Sequence, residues 1–146
     1  MADSTLLQSL IIGATADQSH RRQVETFIAN GTIAIGDVVA IDTSKTGADR
    51  VLFVTKAGLI ANGNGKSIGA ALSAATAGQS VKVVVAGYAE VKSHAGLLID
   101  NMLTASGTSA GTVDGRVAGD ISPAFGIALE AIGGSGLVPA LVYKQY

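Results

Sequence analysis

The sequence predicts an all-β protein: a small barrel or sandwich built from two similar β units, preceded by an extended N-terminal arm. Three observations predict it. Apolar residues come in runs of about five to eight, broken by Gly, Asp, Asn and Ser, which is the length of strands. The second half of the chain resembles the first. Gly supplies 19 of the 146 residues, as a fold with many tight turns requires.

The charge balance argues against a nucleic-acid partner. Ten Lys and Arg stand against 11 Asp and Glu, so the formal net charge is −1, and aromatic residues make up only 4% of the chain. Nucleic-acid binding needs a basic surface or a row of stacking aromatic side chains. The absence of Cys excludes disulfides and thiolate chemistry. The sequence therefore predicts no nucleic-acid partner.

The apolar excess does not predict a membrane span. Hydrophobic residues make up 48% of the chain and the mean hydropathy is +0.44. A spanning helix needs about 18 or more uninterrupted apolar residues, and no run approaches that length. We expect no membrane partner.

The elements follow from strand formers alternating with turn residues. Predicted strands cover residues 32–41, 50–55, 67–74 and 81–91, and residues 17–28 favour an entering strand weakly over a helix. Asn62–Gly65 and residues 76–79 predict turns, and Asp114–Gly115 between strand formers predicts a hairpin.

Two strands have apolar residues on both faces. In the run from Val81 to Val85, alternate residues point inward and Val84 points the other way. Leu137–Tyr143 is apolar on both faces as well, and Pro139, which has no amide hydrogen, predicts an edge or a bulge. Both strands predict covered outer faces, and a second subunit is the simplest cover.

An internal repeat organises the chain. Residues 68–72 align with residues 125–129 at an offset of 57, and the alignment continues without a gap into the following apolar strand. After a seven-residue change in spacing, Gly36–Val39 aligns with Asp100–Leu103. We therefore predict an N-terminal arm over residues 1–30 and a β-barrel domain over residues 31–146, with repeats at about 33–91 and 97–143.

No motif assembles a catalytic site. Gly63–Ser67 resembles the end of a phosphate-binding loop, but Ile60 stands where the motif needs its first Gly, so a hairpin turn with an exposed Lys is favoured. Gly107–Gly111 has the Gly-x-Ser-x-Gly pattern of a hydrolase, yet both His20 and His94 precede it, whereas that architecture places the base after the nucleophile. A flexible loop of small residues is favoured there.

The remaining polar residues predict no metal or cofactor site. The two His lie 74 positions apart, and no carboxylates cluster beside either. Most of the Asp residues occur singly beside Gly, Asn or Thr, which is typical of turns. The sequence predicts no catalytic residue, no cofactor and no metal, and hence a protein that is not an enzyme.

Three segments resemble a known family. Residues 35–42, 67–87 and 125–131 are similar to the head decoration, or cement, proteins of tailed bacteriophages. The resemblance covers residues 30–143 and rests on small and apolar residues around Gly. It implies a β-tulip-like barrel, a homotrimer, and a place in the virion on the outer surface of the capsid after synthesis in the host cytoplasm. It also implies the major capsid protein as partner.

The candidate capsid-binding residues are inferred from the apolar character of the arm. An exposed apolar segment is a docking surface, and nearby cations can steer it. These residues are Leu6, Leu7, Leu10, Ile11 and Ile12, with Arg21 and Arg22 for steering. The alternative to a steering role is that the two Arg side chains lie on a solvated face, where Asp17 and Glu25 balance their charge. The nearby acidic residues favour this alternative.

Two other functions remain open on the sequence. A structural protein of the phage tail or of a fibre base would share the composition and the trimer. A β-clip accessory or binding domain of an enzyme would share the Gly-Asp-Val-Val strand entry, and would require a pocket with converging polar groups.

Overall fold

The computed structural model describes residues 22–58, 67–119 and 123–143, and it confirms the prediction of an all-β small barrel. No helix in these ranges has the length and apolar character to cross a membrane. The strands are β1 (Gln23–Ala29), β2 (Val38–Ile41), β3 (Phe53–Lys56), β4 (Ser67–Ala71), β5 (Ser80–Ser93), β6 (Met102–Ala105), β7 (Val113–Gly115), β8 (Gly126–Ala128) and β9 (Gly136–Val142), with a 3-10 helix at Gly47–Val51.

The nine strands form two closed rings that share β5. Strand order is β1-β3-β2-β4-β5-β7-β6-β8-β9, and β5 also pairs with β1 and with β9. The first ring contains β1 to β4 and the first half of β5, and the second ring contains the second half of β5 and β6 to β9. A strand of 14 residues extends about 45 Å, which is long enough to serve both rings. Closure pairs strand edges that would otherwise be exposed.

Strand β1 belongs to the barrel, although it lies within the segment that the sequence predicted as an arm. It pairs antiparallel with β5 and parallel with β3, and Phe27 and Ala29 lie in the interior of the first ring. The barrel therefore begins at Gln23 and not at residue 31, because the alternating apolar residues of β1 complete the ring. Residues 1–21 lie outside the described part of the chain.

The two rings have the same strand pairing. Ala70 faces Val84 in the first ring, and Ile127 faces Leu141 in the second, an offset of 57 on both strands. From β2 to β6 the offset is 64. The isolated bridge between Ile33 and Ala75 recurs between Leu97 and Ile132 with the same two offsets. Strand β1 of the first repeat corresponds to the second half of β5 in the second repeat. Each repeat therefore contains five strands, with β5 divided between the two. Both repeats start earlier in the chain than the sequence alignment indicated.

The interiors are filled by equivalent residues. Val81, Val83 and Val85 point into the first ring, as predicted, and Val84 belongs to a different cluster. The interior of the first ring consists of Phe27, Ala29, Ile33, Val39, Val54, Ile68, Ala71, Ala75, Val81, Val83 and Val85. Their equivalents in the second ring include Val91, Leu97, Leu103, Val113, Phe125, Ala128, Val138, Ala140 and Val142.

The outer face of the first ring is covered by the same chain. Val38, Ala40, Ala70 and Val84 point away from the first interior and join the apolar cluster that fills the second ring. Val84 is fully buried in the single chain. The prediction that another subunit covers this strand is therefore wrong for Val84, because the second ring lies against it.

Two local predictions differ from the structure. Asp114 and Gly115 lie inside β7, where Asp114 faces Thr104, so they do not form a hairpin turn. Pairing with β6 decides their conformation over the local turn signal. Pro139 is not on an edge strand, because β9 has β5 and β8 as neighbours. The pairing of β8 with β9 ends where Ala128 faces Ala140. The residue before Ala140 is Pro139, which has no amide hydrogen to donate.

Candidate interaction surfaces

A buried carboxylate fixes the joint between the two rings. The side chain of Asp37, directly before β2, is 3% exposed, and its Oδ1 accepts a hydrogen bond of 2.7 Å from Lys92 Nζ on β5. Lys56 Nζ lies 3.4 Å from Oδ2 of the same residue. Oδ2 also accepts a hydrogen bond of 2.8 Å from the backbone N–H of Ala34. Asp37 therefore holds its own turn and ties the first ring to the second.

Backbone contacts hold the same joint closed. The N–H of Val38 donates to the carbonyl of Gly111 at 2.8 Å, and the N–H of Lys92 donates to the carbonyl of Gly36 at 2.8 Å. Gly36 has φ +83°, and a Cβ there would lie 2.5 Å from Cδ2 of Leu137. Gly36 is thus required for its left-handed conformation, whereas the exposed end of Leu137 could move to admit a Cβ.

The Gly-x-Ser-x-Gly letters lie in a turn beside this joint. The Oγ of buried Ser106 donates to Asp114 Oδ2 at 2.7 Å and accepts from the N–H groups of Thr108 and Ser109 at 3.1 and 3.2 Å. The turn carrying Ser109 is therefore capped by Ser106, and Gly111 at its end contacts the first ring. Sequence reasoning missed Ser106, although Ser before Gly is a common turn-capping signal.

The other sequence candidates give no cluster. The described ranges contain no group of three or more His, Asp or Glu residues close enough to hold a metal ion. The phosphate-loop candidate falls on residues 59–66, which lie outside the described part, as does His20.

Asp42 caps the end of β2 with a network of donors. Its Oδ1 accepts hydrogen bonds from the N–H and the Oγ of Ser44 at 2.9 and 2.8 Å, and its Oδ2 accepts from the side-chain amide of Asn30. Burial by itself raises the pKa of Asp42, but the hydrogen bonds from Ser44 and Asn30 and the charge of Lys45 outweigh it, so the pKa is lowered. Asp42 is thus a structural turn residue, as its sequence context predicts.

The lowered pKa of Asp42 predicts acid sensitivity. Above the unfolded pKa of about 3.9 the ionised form contributes its full stabilisation, and this is lost as the pH falls through the lower folded pKa. We expect urea unfolding between about pH 6 and 2 to show a smaller acid-induced loss of stability in Asp42→Asn than in the wild type. An identical pH dependence in the two proteins would contradict the role of Asp42.

Among the predicted capsid-binding residues, Arg22 is the one in the described ranges. Its guanidinium carbon lies 5.4 Å from the centroid of the Tyr88 ring, which is within cation–π range. Arg22 also lines a cavity of about 280 Å³ with Ile35, Leu72 and Glu90. The structure therefore places Arg22 against the start of the second ring, and the prediction that it steers docking stays a prediction. Leu6, Leu7, Leu10, Ile11, Ile12 and Arg21 lie outside the described residues.

Exposed apolar side chains are numerous in the described residues. They are Ile35, Val51, Leu52, Leu98, Ile99, Met102, Val117, Leu129, Leu137, Leu141 and Tyr143. Leu137 and Leu141 are exposed outward residues of β9, and Tyr143 follows the strand directly. In the single chain this apolar face is uncovered, and the predicted cover by a second subunit stays a prediction. Large exposed apolar surfaces mark sites of protein interaction.

The fold defines the class of the molecule as a double ring of β strands. The sequence matches no protein-family model and no curated protein. Among solved structures, the chain is similar to the N base of the head fiber protein gp8.5 of bacteriophage phi29, with a TM-score of 0.57 and 16% sequence identity. The match covers 84% of this chain and 94% of the other. At this identity the similarity shows a shared fold.

Proposed function

We propose that this chain is a structural protein of a phage virion that binds the outside of the head. The observation that carries the proposal is the fold likeness to a phage head fiber base, which extends over nearly the whole of both chains. The resemblance of three sequence segments to head decoration proteins supports the same assignment independently. The exposed apolar side chains of the double ring supply surfaces for docking.

The finer proposal is a cement protein. A homotrimer would bridge neighbouring major capsid subunits on the outer surface and add buried contact where internal DNA pressure separates them. Each contact can be modest, because many copies attached to one shell act together. The arm residues Leu6 to Ile12 would supply the apolar docking segment, with Arg21 and Arg22 steering the approach.

A second candidate is the base of a head fibre. The specific observation in its favour is that the similar structure is described as the base of such a fibre. The two candidates differ in their effect on the shell, since a base needs only to attach, whereas a cement protein must also strengthen the head.

Co-sedimentation with expanded, undecorated heads tests the proposal. We expect the purified chain to pellet with the heads and to saturate at a fixed copy number. Heads with and without the chain are then heated or shocked osmotically, and DNA release is measured. Later release with the chain bound supports cementing, binding without protection supports the fibre base, and no binding contradicts the proposed function.

Deletion of residues 1–16 tests the role of the arm. The deletion ends before β1 begins at Gln23, so we expect the rings to remain folded while attachment to heads weakens. Circular dichroism checks the fold, and co-sedimentation measures attachment. Unfolding of the shortened chain, or unchanged attachment, would contradict the division of labour between arm and barrel.

A further inference from the structure

Comparison of the two repeats identifies an outer surface of the second ring that no other part of the described chain covers. Four residues form the covered face of the first ring, and their equivalents at the offsets of 64 and 57 form what we call the open face of the second ring. These four residues are Val38, Ala70 and Val84, which are buried, and Leu72, which is partly buried against the same cluster. Ala40 also points toward the second ring, but its equivalent Thr104 is buried. The open face consists of Met102, Ile127, Leu129 and Leu141.

The two equivalent faces differ sharply in exposure. Val38, Ala70 and Val84 are fully buried, because the second ring lies against them. On the open face, Met102 is 43% exposed, Leu141 is 40% exposed and Leu129 is 38% exposed. The open face thus keeps large apolar side chains at positions whose counterparts form a buried contact between rings.

The part of the second ring that contacts the covered face also has an equivalent surface, which lies on the first ring. In the second ring, Lys92, Gly111 and Leu137 approach the first ring at the joint. Continuing the offsets of the neighbouring strands, which are 64, 59 and 57, gives their equivalents on the first ring. These equivalents are Ile28, Leu52 and Ser80, which we call the acceptor face together with the neighbouring Val51. The backbone differs at one of them, since Gly111 has φ +78° and its equivalent Leu52 has φ −95°.

The acceptor face has exposed apolar side chains beside the polar Ser80. Leu52 is 48% exposed and Val51 is 60% exposed. No residue of the open face or of the acceptor face carries a charge, so joining them removes apolar surface from water without burying an ion.

We propose that the open face of one copy binds the acceptor face of the next copy, head to tail, repeating between chains the ring-to-ring joint within each chain. This deepens the self-association in the proposed function and rests on it. A contact between two different surfaces is heterologous, and it closes into a ring when the rotation between copies allows.

The contact between copies is weaker than the joint within the chain. Within the joint, the N–H of Lys92 donates to Gly36 of the other ring, whereas the equivalent N–H of Ile28 donates to Leu52 at 2.8 Å inside its own ring. Asp37, which binds two Lys residues at the joint, is replaced by Asn101 at the equivalent position. Side-chain contacts therefore carry the proposed interface, and we expect assembly to be reversible.

Substitutions on each face test the proposal in shell-free protein. We expect Leu141→Asp and Leu52→Asp each to raise the dissociation constant for self-association by at least about tenfold, measured by sedimentation equilibrium. The matched control is Val117→Asp, since Val117 is 70% exposed and lies on neither face. All three positions are solvent-exposed, so circular dichroism should show folded proteins. A wild type that remains monomeric at high concentration, or unchanged association in both face variants, would overturn the proposal.

Disulfide trapping tests the direction of contact, since the chain has no Cys. Val38 and Gly111 share a backbone hydrogen bond of 2.8 Å at the joint, so their equivalents Met102 and Leu52 should come within disulfide range between copies. A mixture of Met102→Cys and Leu52→Cys proteins should form linked dimers at least about tenfold faster than either variant alone. Leu52→Cys mixed with Val117→Cys is the control. Faster linkage of Met102→Cys with itself would indicate a two-fold contact and overturn the head-to-tail arrangement.

The same variants separate this proposal from the proposed function. If Leu141→Asp stays as associated as the wild type but no longer pellets with heads, the open face binds the shell and the copy-to-copy contact is refuted. If assembly is lost in both face variants and the wild type does not bind heads, the interface stands and the function fails.

Discussion

Gly69→Ala is expected to destabilise the protein more than any other single methyl group added at a described glycine. A Cβ at Gly69 would overlap the carbonyl oxygen of Val84 and lie 2.9 Å from Cγ1 of Val83. The carbonyl belongs to the backbone of β5, so it cannot rotate away as a side chain would. We expect the free energy of unfolding to fall by about 3 kcal/mol, measured by urea denaturation with circular dichroism.

The repeat supplies a second variant and the chain supplies a control. A Cβ at Gly126 would lie 2.6 Å from the carbonyl oxygen of Leu141, which is the equivalent of Val84. Gly126→Ala should therefore cost about 2 kcal/mol. Gly107 has open space around it, and Gly107→Ala should change stability by no more than about 0.5 kcal/mol. If Gly69→Ala were as stable as Gly107→Ala, the close crossing of β4 and β5 would be wrong.

Asp37→Ala is also expected to have a large effect, because it removes the anion from the joint. The variant loses the hydrogen bond from Ala34 and the contact with Lys92. Both Lys partners are partly exposed, at 39% for Lys56 and 35% for Lys92, so they regain water and the penalty is limited. We expect a loss of about 2 kcal/mol in the free energy of unfolding.

Asp37→Asn separates the turn from the ion pairs. At the equivalent position of the second ring, Asn101 Oδ1 accepts a hydrogen bond of 2.7 Å from the N–H of Leu98. An amide at position 37 can therefore keep the turn while losing the charge, and we expect a cost of about 1 kcal/mol. The difference from the wild type should shrink in about 1 M salt, which screens charges. Equal losses in the Ala and Asn variants, independent of salt, would contradict the role of the charge.

Much of the fold could be predicted because equivalent positions of the two repeats carry side chains of similar size. Gly69 and Gly126 occupy equivalent crowded crossings in the two rings, and the spacing between them equals the offset of 57 that the strands follow. The alternation of Val81, Val83 and Val85 identified the inward face of β5 correctly. Such signals are local or periodic, and a single sequence displays them directly.

The rest depended on contacts between distant segments. The alternation of apolar residues along β5 predicts that Val84 is covered, but it does not identify the covering surface. That surface is the other ring of the same chain. Asp37 was predicted as a turn residue, and its contact with Lys92 lies 55 residues away along the chain. The Asp114–Gly115 pair gave a strong hairpin signal, yet pairing with β6 holds it in a strand. Tertiary contacts override local propensity in each case.

The most direct test of the account is a cryo-electron microscopy reconstruction of heads incubated with the chain. We predict density on the outer surface where neighbouring capsomers meet, with the second ring of each copy against the first ring of the next. In that density, Leu141 of one copy should face Leu52 of its neighbour. Absence of density on the heads, or isolated copies whose Leu141 face is open to solvent, would contradict the account.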